Sequence, residues 1–489
     1  PHRTLERQGK MKQPNILLIN VDDLGWTDLG FMGSTFYETP AIDQLASEGT
    51  IFTNAYAASA NCAPSRACML TGLMPGRHGI YTVGNSDRGD VKTRKLIPAE
   101  NNTVLSEHLP TMATVLGDLG YETGMIGKWH LSEDPTRHGF ETNIGGCHKG
   151  HPPSYFAPYK IPAIVDGPEN EYLPERLANE ASEFISRKRD KPFFLYYSTY
   201  LVHTPIEGKD GVVEKYKKKI DAGGATAEHY NPVYAAMIEA LDQAVGKVLS
   251  ALSESGQEEN TLVIFVSDNG GIRAISRQTP LRAGKGSFYE GGIRVPMTVR
   301  WPGRVPAGAI NQTPVSNLDF LPTFASIAGS SPSNYKFDGT DLADLITGKM
   351  DTGLEQRELL WHFPVYLQAY DCSLDEGRDP LFRTRPGAVL RKGKWKLHYY
   401  YEDDVCELYD IKSDIGERID RAAEFPDIVA RLKAVMDEKI RTLAPAVPTG
   451  DNPRYDDNYS RELQAEAAQT QPPSPLSEKE WLSVMRFVD

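Results

Sequence analysis

A chain of 489 residues is too long for one small domain and suits a large domain with a smaller companion. Its 40% hydrophobic and 24% charged content is ordinary for a globular fold. A net charge of −13 argues against non-specific nucleic-acid binding, although a local cluster of cations can still override the global sign. No apolar run approaches the ~20 residues of a membrane span. The first dozen residues, PHRTLERQGKMK, are polar and carry no signal-peptide core.

In chain order, NILLINVDD (15–23) reads as a buried parallel strand that breaks off into Asp22 and Asp23. TPAIDQLASEG follows as a helix with Thr39 as N-cap, Pro40 at its first position and Gly49 as its stop. SRACMLTG begins another helix, and LPTMATVLGDLG a third that stops at Gly120. YETGMIGKWH, PFFLYYSTYLVHTP and NTLVIFVSDNGG are further buried strands, ending at Lys128 and His130, at His203, and at Asp268 and Asn269. Between the last two, EKYKKK reads as a solvated helix face, with polyanion docking as the alternative. A long helix closed by Gly256 follows it.

Strands alternating with helices predict an α/β fold: a large, mostly parallel sheet sandwiched by helices, spanning 14–375. In such sheets ligands gather beyond the carboxyl ends of the strands, so the four polar endings meet at one edge. Residues 376–445 alternate and turn, then run into an amphipathic helix, which predicts a smaller α+β subdomain with an antiparallel sheet. Residues 446–489 read as an extended, Pro- and Ser-rich tail.

Asp22, Asp23, Asp268 and Asn269 are hard oxygen donors that suit Ca²⁺ or Mg²⁺ better than zinc. One pair alone would read as turn residues; two pairs at one sheet edge favour a metal. Arg66, Lys128, His130, His203 and Lys285 would surround that metal with positive charge. Such a pocket takes a tetrahedral oxyanion ester, phosphate or sulfate. The five cysteines, 62, 68, 147, 372 and 406, form no CxxC pair and no disulfide scaffold, though one or two bridges are compatible with the count. Cys62 could be a nucleophile, a disulfide half or a packed residue.

CAPSR (62–66) resembles the C-x-P-S-R signature of the type I, formylglycine-dependent sulfatases, and GLMPGRHG resembles their second signature. VDDLG, GKWH, VHTP, SDNGG and GKGSFYEGGIRVPM fall in the family's order, and WKLHYYY with CELYDIKSDIGE is similar to its C-terminal sheet. The resemblance spans most of residues 14–440 and implies an alkaline-phosphatase-like fold.

It also implies that Cys62 is oxidised to formylglycine, whose hydrate attacks sulfur with one hydroxyl and expels sulfate through the other. A formylglycine-generating or anaerobic maturating enzyme would be a partner. Asp22, Asp23, Asp268, Asn269 and residue 62 would hold Ca²⁺, with Mg²⁺ as the alternative. Arg66 would support the hydrated aldehyde, Lys128 and Lys285 the sulfate oxygens, His203 the leaving alcohol and His130 aldehyde regeneration. Cys68, on the same helix, reads as packed.

The implied activity is hydrolysis of sulfate monoesters. The alternatives are a phosphodiester or phosphonate hydrolase of the same fold, or a sulfoglycan-binding protein with an unmodified Cys62. Loops carrying His148, Arg273 and His362 hold aromatic and basic groups suited to a sulfated poly- or oligosaccharide. Such a substrate implies a periplasmic or secreted protein whose leader is not part of this sequence, acting as a monomer or homo-oligomer.

Overall fold

The computed structural model describes residues 13–330, 335–349, 353–370, 374–443 and 446–469; Cys372 and the tail beyond 469 lie outside them. Eight strands build the central sheet: β1 (Asn15–Val21), β2 (Thr50–Phe52), β3 (Glu122–Gly127), β4 (Thr142–Ile144), β5 (Phe193–Ser198), β6 (Thr261–Ser267), β7 (Met297–Arg300) and β8 (Ala309–Asn311). Their spatial order is β8-β2-β7-β6-β1-β5-β3-β4. β7 runs antiparallel to β2 and β6, and the other pairs are parallel.

The continuous apolar run of β1 follows from burial on both faces. Side chains alternate across a strand, so Leu17, Ile19 and Val21 enter one core while Ile16 and Leu18 enter the other. The helices concerned are α1 (Pro40–Ser47), α2 (Cys62–Thr71), α3 (Met112–Asp118), α4 (Leu173–Ser186), α5 (Asp210–Asp221), α6 (Pro232–Glu254) and α7 (Phe320–Ile327). The first core packs against α4 and α6, the second against α2, α3 and α7.

Two helix expectations gain detail. Thr39 is the N-cap of α1 but makes no side-chain cap bond. Asp242, from α6, accepts from Ala41 N and Ile42 N instead, at 3.2 and 2.8 Å. On α5, Lys215 and Lys219 of EKYKKK pair with Glu38, and Lys215 also with Glu239.

A second, antiparallel sheet contains β9 (Glu358–Phe363), β10 (Gly387–Lys392), β11 (Trp395–Tyr400) and β12 (Val405–Asp410), paired in that order. It therefore begins upstream of residue 376. Leu360, Leu390, Leu397 and Leu408 stand opposite one another in one row across it. Leu432, Met436 and Ile440 of α8 (Pro426–Leu443) cover that row at helical spacing. Truncating a leucine there to alanine would cost about 2–5 kcal/mol.

The tail is not simply extended. Gly450 and Asp451 pair with Ile97 and Leu96, and α9 (Asp457–Gln469) follows. Among the described residues no helix is long and apolar enough to cross a membrane.

Candidate active site

β6, β1, β5 and β3 end on one edge of the sheet. Main-chain hydrogen bonds tie their exits together: Asp22 N to Leu201 O (2.8 Å), Lys128 N to Ser198 O (2.6 Å) and Asp268 N to Val21 O (2.9 Å). At Gly127, φ is +104° and a Cβ would lie 1.9 Å from Ser198 O, so only glycine permits this close exit. All four strand endings therefore reach one place.

α2 begins there with Cys62, which is 2% exposed. Its Sγ lies 3.4 Å from Asp22 Oδ1 and 3.8 Å from Asp23 Oδ1. The N-cap, Asn61, makes no side-chain cap bond, so the amino end of this buried helix keeps free N–H groups. Ser65 pins the first turn: its hydroxyl donates to Asp268 O and accepts from Asn317 Nδ2 (2.9 Å).

Arg66 is fully buried, with hydrogen bonds from Nε and Nη1 and an ion pair at Nη2. Its Nε and Nη2 reach Asp268 Oδ2 at 2.9 and 2.8 Å, and Nη1 reaches Lys128 O at 3.0 Å and the Ser198 hydroxyl. Lys128 Nζ lies 2.6 Å from Asp22 Oδ2, and Lys285 Nζ 2.7 Å from Asp23 Oδ2. Three acidic side chains thus face three basic ones, all of them buried. Breaking one such buried pair is costly, because the remaining charge has no partner.

Burial pushes the Asp22 carboxyl well above its usual range, against the pull of Lys128. Burial would raise Asp23 too, but Lys285, His203 and Lys128 outweigh it and hold Asp23 below the usual range. Lys285 stays well above an ordinary lysine, since Asp23 overcomes the cost of burial. Burial and Lys285 bring His203 down to about 4, despite Asp23. A neutral His203 donates from Nδ1 to Thr204 O (2.9 Å) and offers Nε2 to Lys285 Nζ (3.0 Å). Its ring stacks on His151 with centroids 5.5 Å apart. Burial and Lys128 push His130 well below its usual value.

The donor set fits a hard dication. Ligand atoms of Asp22, Asp23, Cys62 and His203 all lie within 4.8 Å of one another. Asn269 donates from Nδ2 to Asp23 Oδ1 (2.7 Å), while its Oδ1 is buried with no hydrogen-bond partner. An orphaned carboxamide oxygen beside a crowded carboxylate trio is what a calcium-type ion would satisfy.

The structure thus brings Asp22, Asp23, Cys62, Arg66, Lys128, His203, Asp268, Asn269 and Lys285 into contact. His130 lies just beyond, its main-chain N–H on Cys147 O (2.9 Å). A Cβ at Gly150 would come within 2.7 Å of its ring. His130 and His148 line one cleft of about 300 Å³, where His148 Nδ1 meets Glu133 (2.6 Å). Arg273 is paired with Glu376 (2.6 Å). His362 is buried in β9 and bonded to the Tyr401 hydroxyl (2.9 Å). Cys68 is packed, with Sγ 3.4 Å from His78 Nε2, and no disulfide forms among the described cysteines.

Several supporting residues had escaped the sequence reading. Ser65 lay inside CAPSR without a role. Ser198, Asn317 and Arg383 carried no local signal. Arg383 donates to Lys285 O (3.1 Å) and Gln368 O (3.0 Å), and so fixes the Lys285 loop.

The family model described as sulfatase matches residues 14–330, and one described as the C-terminal part of N-sulphoglucosamine sulphohydrolase matches 284–442. A sulfatase of Formosa agariphila is 32% identical, with 85% of each chain covered. Human N-acetylgalactosamine-6-sulfatase is 33% identical over 90% of this chain and 88% of its own. The solved structure of Ps i-CgsB in complex with k-i-k-neocarrahexaose superposes with a TM-score of 0.72 at 28% identity, covering 94% of this chain and 98% of that one. With its sheet, its strand-end cluster and these relatives, the chain belongs to the sulfatase family of the alkaline-phosphatase-like superfamily and is a sulfuric ester hydrolase.

Proposed function

We propose that this sulfatase removes sulfate from a sulfated carbohydrate, using oxidised Cys62 as nucleophile and a Ca²⁺ ion held by Asp22, Asp23, Asp268 and Asn269. The observation that carries it is the position of Cys62. Its side chain sits at the uncapped amino end of α2, against two carboxylates that are each also held by a lysine.

A hydrated aldehyde at position 62 would supply one hydroxyl to attack sulfur and a second through which sulfate departs. Ca²⁺ would supply Lewis acidity toward a sulfate oxygen. The rest is the work of this chain's side chains. Lys128 and Lys285 turn from Asp22 and Asp23 onto the sulfate oxygens as charge builds there. The free N–H groups of α2 add positive potential at the same spot. Arg66, locked by Asp268, holds the first turn of α2 against the strand ends. His203 Nε2 faces the pocket beside Lys285; it carries no proton in the resting site, so His203 would protonate the leaving alcohol only after taking up a proton at Nε2 once Lys285 has turned onto the sulfate. His130 takes the proton released at position 62.

The depth of Cys62 favours a sulfate projecting from a chain end over one in the middle of a polymer. The sugar would occupy the cleft between His130 and His148; Arg273, paired with Glu376, and the buried ring of His362 do not line it. Two of the relatives, an N-acetylgalactosamine-6-sulfatase and a protein solved in complex with a neocarrahexaose, support a carbohydrate. Such substrates would fit a periplasmic or secreted protein. All of Cys62–Thr71 is buried, so the maturating enzyme would have to act before α2 folds.

The test is sulfate release from a panel of defined sulfated sugars, with the mass of the peptide containing position 62 measured on the same sample. Release that depends on an aldehyde there, and is lost in Cys62→Ala, supports the assignment. Protein bearing the aldehyde that leaves every sulfated sugar intact but cleaves phosphate diesters would overturn it.

A further inference from the structure

A second feature lies away from the catalytic cluster. A groove of about 1000 Å³ runs between the edge strand β8 and the β10–β11 hairpin. The other end of that antiparallel sheet approaches the catalytic loop, where Phe363 stacks on Phe288 at 3.7 Å, three residues after Lys285. The groove opens at the opposite end, about 17 Å farther along the strands at ~3.4 Å per residue.

Its lining is cationic in a chain that is acidic overall. Arg294, Lys349, Arg391, Lys392, Lys394 and Lys412 border it, against the single carboxylate of Glu355. Four of the cations have partners: Arg294 with Glu290, Lys349 with Asp344, Lys392 with Glu358 and Lys394 with Asp410. Arg391 and Lys412 hold no ion pair among the described residues. Arg391 is 6% exposed, and its Nε and Nη1 are buried without a hydrogen-bond partner. The guanidinium lies over the Tyr56 ring at 5.0 Å and within the field of the buried Glu290, yet those two N–H groups have no acceptor. Around it the groove is lined by the carboxamide of Gln356, by Asn54 and Asn311, whose amide groups partly serve Gln312, Arg294 and Thr313, and by Trp395. Carboxamides for hydroxyls, cations for charged substituents and apolar flanks match an anionic sugar chain.

We propose that this groove is a non-catalytic binding site for a sulfated glycan segment, gripped at Arg391 and Lys412. It would hold the polymer while a sulfate elsewhere on the chain is hydrolysed, but binding there does not depend on turnover.

The experiment is native affinity electrophoresis of the whole protein in gels containing dextran sulfate, uncharged dextran or single-stranded DNA. Dextran sulfate is expected to retard the protein, uncharged dextran not at all, and DNA less at equal charge concentration. Lys394→Glu/Lys412→Glu, at exposed positions, should weaken retention about tenfold while turnover of a small aryl sulfate stays unchanged. Equal retention of this variant, equal retention by DNA, or no retention by dextran sulfate would each overturn the proposal. Aryl sulfate turnover reports on the hydrolase separately. The exposed pair decides the matter whatever Arg391→Gln does to folding.

Discussion

Lys285 Nζ lies 3.0 Å from His203 Nε2 and 2.7 Å from Asp23 Oδ2, so one ammonium serves a carboxylate and an imidazole together. Its removal should therefore show in two measurements. Lys285→Met takes away the cation proposed to meet the sulfate oxygens, and on that proposal kcat on an aryl sulfate should fall about 10²–10³-fold. It also leaves Asp23 buried with less compensation, which should lower stability by about 3–5 kcal/mol in metal-free buffer. A variant with near-native turnover would remove Lys285 from the sulfate site.

The carboxylate trio and the orphaned Asn269 oxygen predict a link between metal and stability. Ca²⁺ that binds only the folded chain stabilises it by about 2.7 kcal/mol at a hundredfold excess over Kd. Thermal unfolding should shift upward with Ca²⁺ and return with EGTA, and sulfate release should follow. In Asp268→Asn/Asn269→Ala the shift should vanish. A wild-type melting curve that is the same with millimolar Ca²⁺ and with EGTA would count against a resident ion.

The central sheet was legible because buried parallel strands are written as continuous apolar runs, and each of these stopped at a residue with chemistry to do. Asp22, Lys128, His203 and Asp268 could be found that way. What holds them could not. Ser65 and Asn317 are 252 positions apart and meet only in the fold. Arg383 works through the main-chain oxygen of Lys285, a contact that no side-chain pattern announces. Asp242 caps α1 from 200 residues away, where Thr39 looked sufficient. β9 went unread for a related reason: ELLWHF is a short apolar run, and pairing with β10 makes it part of the second sheet.

Arg383 offers a test of positioning. It touches the backbone of Lys285 and not the catalytic cluster's side chains, so its loss should loosen the loop rather than remove a charge from the reaction. Arg383→Ala should lower kcat about tenfold, and Arg383→Lys, which can keep one donor, should recover part of it. Dependence on Ca²⁺ should be unaltered in both. If Arg383→Lys is as impaired as Arg383→Ala while both are fully folded, the guanidinium acts in some way other than by this hydrogen bond.

Two histidines far from the chemistry predict how stability depends on pH. Burial lowers His78 and His362 to about 3 from 6.5. His78 Nδ1 accepts from Ile80 N (3.1 Å), a bond that protonation there would break. Between pH 6.5 and about 3 the unfolded chain takes a proton at each site and the folded chain does not. The unfolded state then binds more protons, so stability rises with pH across this window and is lost as pH falls. At pH 5.5 each histidine should cost about 1.4 kcal/mol relative to neutral pH. Urea unfolding at pH 7.5 and 5.5 measures the sum. His362→Gln, which can keep a bond to the Tyr401 hydroxyl, should be flatter by about 1.4 kcal/mol over that interval. An unchanged pH slope in His362→Gln would mean that its imidazole protonates without unfolding, and that its burial in β9 is less complete than the packing against Tyr81 and Tyr401 requires.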